Sequence, residues 1–327
     1  MKLTPITERT AMIDGTTTVT VYLLPDGGCV LIDPGYPTDF EELDSLLQSE
    51  GLLVRGVLAT HAHYDHFGSA RMFCEKYRLP VILPAGELAP CRSAHALAAY
   101  LGFVSSFRVT KSATLSSVLG PVDEVIGFCQ DSITVAGAKF DIIHTPGHTT
   151  DNVSFRTPDG VLAIGDVLFS RDVLPTMRAP YTTALGLDIE AKRLIGKTPC
   201  TACVTAHHGF LDGADVPALA RDNIAMLQEM IDAVRSIIDH PMHIDEIIPI
   251  YCEMRHIHGA TPMHGLQMRH TLSAVIGYLI DEQVLASHTE LGLTRYFPVA
   301  DDTELELVPF DGSELQGYRK MNLSGDK

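Results

Sequence analysis

The chain has 327 residues, with 41 acidic against 24 basic side chains and a formal net charge of −17. That balance disfavours a polyanion such as nucleic acid as the natural partner, because phosphate binding draws on clustered Lys and Arg. A hydrophobic content of 46% leaves ample material for a core, and no apolar run approaches the roughly 18 residues of a membrane span.

Apolar alternation from 7 to 32, broken at Asp14-Gly15 and at Pro25-Asp26-Gly27-Gly28, predicts three antiparallel strands. Thr38 or Asp39 then caps a helix with Phe40, Leu43, Leu46 and Leu47 on one face, closed by Gly51. Gly56-Val57-Leu58-Ala59 reads as a buried strand running into Thr60-His61-Ala62-His63-Tyr64-Asp65-His66. A helix over 69–77 and a short strand over 80–83 follow. The segment 86–119 mixes Ala-rich helical pieces around 95–101 with a Ser/Thr-rich run that reads as a loop over an active site; His95 in it reads as structural. Residues 127–140 form a hairpin turning at Ala136-Gly137, and 141–144 a strand that ends at Thr145-Pro146-Gly147-His148. A strand pair, 151–156 and 161–164, leads to Gly165-Asp166. A helix over 189–195 and a strand over 201–205 lead to Ala206-His207-His208-Gly209. The character changes near Ala214. Helices are predicted over 216–238, 244–254 and 265–280, then a small hairpin from 284–286 and 294–297. From Ala214 onward there are 8 Lys/Arg against 18 Asp/Glu, too few cations for a DNA-reading module.

His61, His63, Asp65 and His66 place four metal-type ligands within six residues just beyond a strand end. Imidazoles with a carboxylate suit Zn²⁺, Fe or Mn²⁺ better than a hard cation such as Ca²⁺. One histidine would read as part of a surface turn; three with an aspartate at this spacing read as a metal site.

The motif His61-x-His63-x-Asp65-His66 resembles the signature of the metallo-β-lactamase superfamily. The later motifs Thr145-Pro146-Gly147-His148-Thr149, Ala163-Ile164-Gly165-Asp166 and Thr205-Ala206-His207-His208-Gly209 follow in that family's order. With Leu31-Ile32-Asp33-Pro34-Gly35 they extend the resemblance over residues 1–213. It implies an α/β fold, a four-layer αββα sandwich with the metal site at one edge. It also implies two divalent ions, zinc first, with Fe or Mn as alternatives. His61, His63 and His148 are assigned to one ion, Asp65, His66 and His208 to the other, with Asp166 between them. The family places the last ligand directly before glycine, which selects His208 over His207. Asp33 is expected beside the ligands and not among them.

Two such ions lower the pKa of a shared water and generate a bridging hydroxide nucleophile, with Asp65 as the candidate catalytic proton relay. Arg171, Arg178 and Tyr181, in the irregular stretch after Asp166, are candidates for contact with substrate. The glyoxalase-II-like branch implies a hydrolase acting on a thioester or ester small molecule. Alternatives of the same fold are an endoribonuclease or phosphodiesterase, a mononuclear iron sulfur dioxygenase, and a non-catalytic, metal-dependent ligand sensor. Residues 214–300 resemble the winged-helix module that some of these hydrolases carry, expected here to shape the cleft or to form a homodimer contact. Residues 301–327 read as an acidic, polar tail. Seven scattered cysteines, and a start at Met1-Lys2-Leu3-Thr4-Pro5 without an apolar stretch, point to a cytoplasmic protein.

Overall fold

The computed structural model describes residues 1–299 apart from Val104 and Ala260, so the tail read at 301–327 lies outside the described residues. The first sheet contains β1 (Leu3–Pro5), β2 (Thr10–Ile13), β3 (Val19–Leu23), β4 (Gly28–Ile32) and β5 (Leu53–Leu58), in that spatial order. Neighbours pair antiparallel until β4 and β5, which run parallel because helix α1 (Phe40–Ser49) carries the chain back between them. The alternation read over 7–32 thus resolves into three strands, and Leu3–Pro5 adds a fourth at the edge. After β5 come α2 (Tyr64–Phe67), α3 (Ala70–Tyr77) and β6 (Ile82–Pro84).

In the next segment the helical reading around 95–101 holds, while the Ser/Thr-rich run departs from its reading as a loop. Residues 86–119 are largely helical, in α4 (Leu88–Cys91), α5 (Ala94–Tyr100), α6 (Phe107–Lys111) and α7 (Ala113–Ser116). Two of the serines there are caps, Ser93 accepting from the Ala96 amide and Ser112 from the Leu115 amide. A Ser/Thr-rich run between apolar residues signals helix starts as well as loops. β7 (Glu124–Ile126) then pairs with β6.

The second sheet has the order β13-β12-β11-β10-β9-β8, from β8 (Ser132–Val135), β9 (Ala138–His144), β10 (Val153–Arg156), β11 (Val161–Ala163), β12 (Ala202–Val204) and β13 (Phe210–Asp212). Here too one neighbouring pair is parallel, β11 with β12, joined through α8 (Leu185–Lys197). The chain ends in α9 (Val216–Ile237), α10 (Ile244–Met254), α11 (Pro262–Asp281) and the hairpin β14 (Leu285–Glu290) and β15 (Leu293–Pro298).

Three packed interfaces make the four layers. Val30, Ile32 and Leu58 of the first sheet meet Ile133, Phe140, Ile142 and Phe155 of the second, with Tyr22 edge-on to Phe140 at 5.4 Å. The outer face of the first sheet is covered by Phe40, Leu43 and Leu47 of α1 and Phe73 of α3. On the outer face of the second, Leu162 and Cys203 pack against Ala191 and Ile195 of α8 and Val216, Leu219 and Ala220 of α9. This is the α/β sandwich expected. A further cluster joins Leu227, Ile231 and Val234 of α9 to Ile247, Tyr251, Leu272, Val275 and Leu279, and also to Phe169, Leu185 and Ile189. α9 therefore belongs to two cores.

Candidate metal centre

The chemistry collects where strands end. His61, His63, Asp65 and His66 follow β5, His148 follows β9, Asp166 follows β11 and His207 follows β12, so one rim of the sandwich receives loops from both sheets. Two groups of ligand atoms form there, each within 4.8 Å: His61, His63, His148 and Asp166, and then Asp65, His66, Asp166 and His207.

In the first group, His63 Nδ1 lies 3.0 Å from His61 Nε2 and 3.1 Å from His148 Nε2. Imidazole nitrogens bound tetrahedrally to one zinc-sized ion stand about 3.3 Å apart, given ordinary metal–nitrogen lengths. Asp166 is shared. Its Oδ2 is 3.3 Å from His148 Nε2, while its Oδ1 is 3.4 Å from His66 Nε2 and 3.7 Å from His207 Nε2. One carboxylate therefore presents an oxygen to each group. His66 Nε2 and Asp166 Oδ1 are buried without a hydrogen-bond partner in the protein, a costly arrangement that a cation between them would resolve.

The far side of each ring is tied down, which fixes the tautomer. His66 Nδ1–H donates to Asp33 Oδ2 at 3.0 Å. His61 Nδ1–H donates to Thr60 Oγ1 at 2.9 Å, and Thr60 donates its hydroxyl and its amide to the two oxygens of Asp33, at 2.8 and 2.7 Å. His148 Nδ1–H donates to the Tyr181 carbonyl at 3.0 Å and His207 Nδ1–H to the Thr16 carbonyl at 2.9 Å. In each of these four rings it is Nε2 that faces the cluster, the atom a metal-binding imidazole would offer. Asp33 stands beside the ligands, as expected, and orients two of them.

Electrostatics follow from burial. Loss of water, with neighbouring imidazoles adding to it, holds His61 and His63 well below the usual histidine range, and burial also lowers His148. Burial opposes charge on His66 too, but Asp166, Asp33 and Asp65 outweigh it and hold that ring well above its usual range. Asp166 is kept ionised against its own burial by His66 and His148.

Two glycines make the approach feasible. Gly165 has φ +54°, and a Cβ on it would lie 2.4 Å from Thr60 Oγ1, so a side chain there would push Asp166 away from the histidines. Gly147 has φ +135° and packs where a Cβ would lie 2.3 Å from the Asp188 backbone. Asp188 in turn pairs with buried Lys192 at 2.6 Å, and Lys192 donates to the Val167 carbonyl at 2.8 Å. α8 thereby braces the residues next to His148 and Asp166 at once.

Of the residues expected at the site, His61, His63, Asp65, His66, His148 and Asp166 come together. His208 is a correction. The structure brings His207 to Asp166, while His208 lines a separate cleft with Arg171, Thr205 and Phe210. Neighbouring residues do face opposite ways, but His208 and Gly209 both adopt positive φ, 69° and 88°, so the reversal starts one residue earlier than the ligand-before-glycine pattern implied. Arg171 is thus away from the cluster. Arg178 is exposed, and its carbonyl accepts from Tyr251 at 2.6 Å. Tyr181 is at the site, its ring 5.4 Å from His63 and 5.6 Å from His148.

Several contributors carried no sequence signal of their own. Glu87 is buried and accepts from the amides of Ala62 at 3.0 Å and Asp151 at 3.1 Å, pinning the backbone between His61 and His63. Burial pushes its carboxyl up despite those donors. Tyr100 Oη lies 3.4 Å from His63 Nε2. A cavity of about 150 Å³ opens from the cluster, walled on one side by His63, Asp65 and His148 and on the other by Met263, Leu266, Gln267 and His270 of α11. His270 stacks on Tyr181 with centroids 5.0 Å apart and planes at 14°. The C-terminal helices thus form part of the cleft. His95 lies on the exposed side of α5, 3.4 Å from Ser106.

Comparison with known proteins agrees with this geometry. Hydroxyacylglutathione hydrolase of Chromohalobacter salexigens is 30% identical over 143 residues, covering 43% of each chain. The probable metallo-hydrolase YqgX of Bacillus subtilis is 29% identical over 149 residues, 45% of this chain and 64% of that one. The matches thus span less than two thirds of these relatives. A metallo-beta-lactamase family protein from Thermus thermophilus superposes with a TM-score of 0.65 at 22% identity, covering 86% of this chain and 94% of its own. A beta-lactamase domain protein from Burkholderia ambifaria gives 0.65 at 18% identity, covering 91% and 94%, a likeness of fold. Residues 14–208 match the model of the metallo-beta-lactamase superfamily, and with the His/Asp cluster at the strand ends this chain belongs to that superfamily.

Proposed function

We propose that the chain is a metal-dependent hydrolase of a small-molecule thioester or ester. The observation that carries this reading is Asp166, whose two oxygens face two separate groups of histidines. His61, His63 and His148 would hold one divalent ion, Asp65, His66 and His207 the other, and Asp166 both. Ions held there would supply Lewis acidity for the scissile carbonyl and acidify water. The protein's own work is to hold the imidazoles and carboxylates in place through Asp33, Thr60, Glu87 and the Thr16 and Tyr181 carbonyls. Asp65, half-buried and at the cavity wall, would relay a proton to the leaving group.

Relatives named for hydroxyacylglutathione hydrolysis support the thioester reading. Three helices and a hairpin after β13 support a winged-helix-like module that closes the cleft. Seven free thiols, four of them buried, fit a reducing cytoplasmic setting, and no described helix is long and apolar enough to cross a membrane. The test is metal content and turnover together. Protein reconstituted with zinc should hold about two ions per chain and hydrolyse thioesters or esters. About one tightly held iron per chain with oxygen consumption and no hydrolysis would overturn the reading.

A further inference from the structure

The cavity beside the cluster has a composition that narrows the substrate. Away from the histidines and carboxylates its walls are Tyr100, Leu101, Tyr181, Met263 and Leu266, with Gln267 and His270 as further polar groups. No Lys or Arg lines it among the described residues. Asp65 and Asp166 at the floor would be taken up by the ions proposed there. Carboxylates several bonds from the scissile carbonyl, beyond reach of those ions, would meet no cationic side chain in this cavity, which is costly once water is excluded.

The shape points the same way. His270 stacks on Tyr181, which in turn stands edge-to-face to His63 and His148, so the stacked pair forms an aromatic wall beside the cluster. Leu266 closes the space from α11, its side chain 3.5 Å from where a Cβ on Gly102 would sit, so the α5–α6 turn and α11 meet across the cleft. The cavity of about 150 Å³, part of which the ions themselves would fill, leaves room for a group no larger than a benzene ring. A planar apolar group there would pack against this aromatic wall on one side and against Leu101, Met263 and Leu266 on the others.

We infer that the substrate presents a neutral, planar, apolar group of about ring size next to its scissile carbonyl, seated against Tyr181 and His270. An anionic peptide thiol such as glutathione is a poor leaving group for this site. The inference rests on the proposed hydrolase reading and adds the chemical class of substrate. It separates this chain from the relatives named for hydroxyacylglutathione hydrolase, whose matches cover 43% of this chain.

The experiment uses the full-length, zinc-loaded chain and two phenylacetyl thioesters, one of neutral N-acetylcysteamine and one of glutathione. We expect kcat/KM at least about tenfold higher for the neutral thioester, the scale on which a pocket discriminates one misfit group. Gln267→Lys, at an exposed position on the cavity wall, should narrow the gap by about fivefold through one partly exposed ion pair. Phenylacetamide serves as a neutral probe of the cavity by calorimetry, independent of turnover, and should bind wild type more tightly than His270→Ala, whose folding is checked by circular dichroism. Equal or better turnover of the glutathione thioester would overturn the inference and leave the hydrolase reading intact. Absence of hydrolysis of both thioesters would count against the hydrolase reading, and phenylacetamide binding would then still decide the cavity's preference. Failure of phenylacetamide to bind, or binding unchanged in His270→Ala, would overturn the inference.

Discussion

The cleft has two walls built on different principles. On the cluster side, His61, His66, His148 and His207 each have the outer ring nitrogen bound to a carbonyl, hydroxyl or carboxylate, and those acceptors sit on separate stretches of chain. On the α11 side, Met263, Leu266 and His270 are held by packing and by one stacked ring pair. A polar network permits one geometry, because each lost partner leaves a buried group unsatisfied. A packed wall tolerates exchange among side chains of similar volume. On the proposed reading, the first wall carries the chemistry and the second the choice of substrate.

The largest expected effect comes from breaking the first wall at its ligands. His148→Ala and His207→Ala should each lose bound metal, measured by atomic emission on dialysed protein, with hydrolysis falling to background while circular dichroism stays native. His148→Ala protein with normal metal and activity would show that the cluster is not the reactive centre. One step out, Asp33→Ala removes the acceptor for His66 and Thr60. It should weaken metal affinity about 10–100-fold, as supporting partners of metal ligands do, which a competitive chelator titration would register. The second wall should respond differently. Leu266→Ala should leave metal content unchanged and raise KM for a neutral thioester by about 3–10-fold, the range for a trimmed apolar contact. A fall in metal content would erase the distinction between the walls. The smallest change is expected at His208, which holds φ 69° away from the cluster. His208→Gly should relieve left-handed strain and raise stability by about 0.5–1 kcal/mol in urea titration, with activity retained. Loss of metal in that variant would restore His208 as a ligand.

The first wall was largely legible in the sequence because its chemistry is dense and local. His61, His63, Asp65 and His66 are close neighbours, and His148 and Asp166 each end a readable strand. The choice between His207 and His208 depended on where the backbone turns left-handed, and two adjacent histidines look alike before φ is known. Asp188 and Lys192 are spaced as an ordinary exposed helix pair, yet both are buried because they face the loops beside the cluster, Asp188 against Gly147 and Lys192 donating to the Val167 carbonyl. The second wall was less legible. His270 is one histidine on an amphipathic helix, and only long-range packing brings it to Tyr181. Arg171 and Arg178 looked suitable by charge and position after Asp166, but neither lines the cavity beside the cluster.

The placement of α9 in two cores bears on how the molecule melts. Val216, Leu219 and Ala220 cover the second sheet, while Leu227, Ile231 and Val234 support α10 and α11. A single continuous helix cannot fray through its middle without exposing apolar surface on both sides, so the C-terminal helices should not denature ahead of the sandwich. Calorimetry of the metal-free protein should give one transition whose van't Hoff and calorimetric enthalpies agree. Two resolved transitions would mean that α9 is a hinge between independently cooperative units.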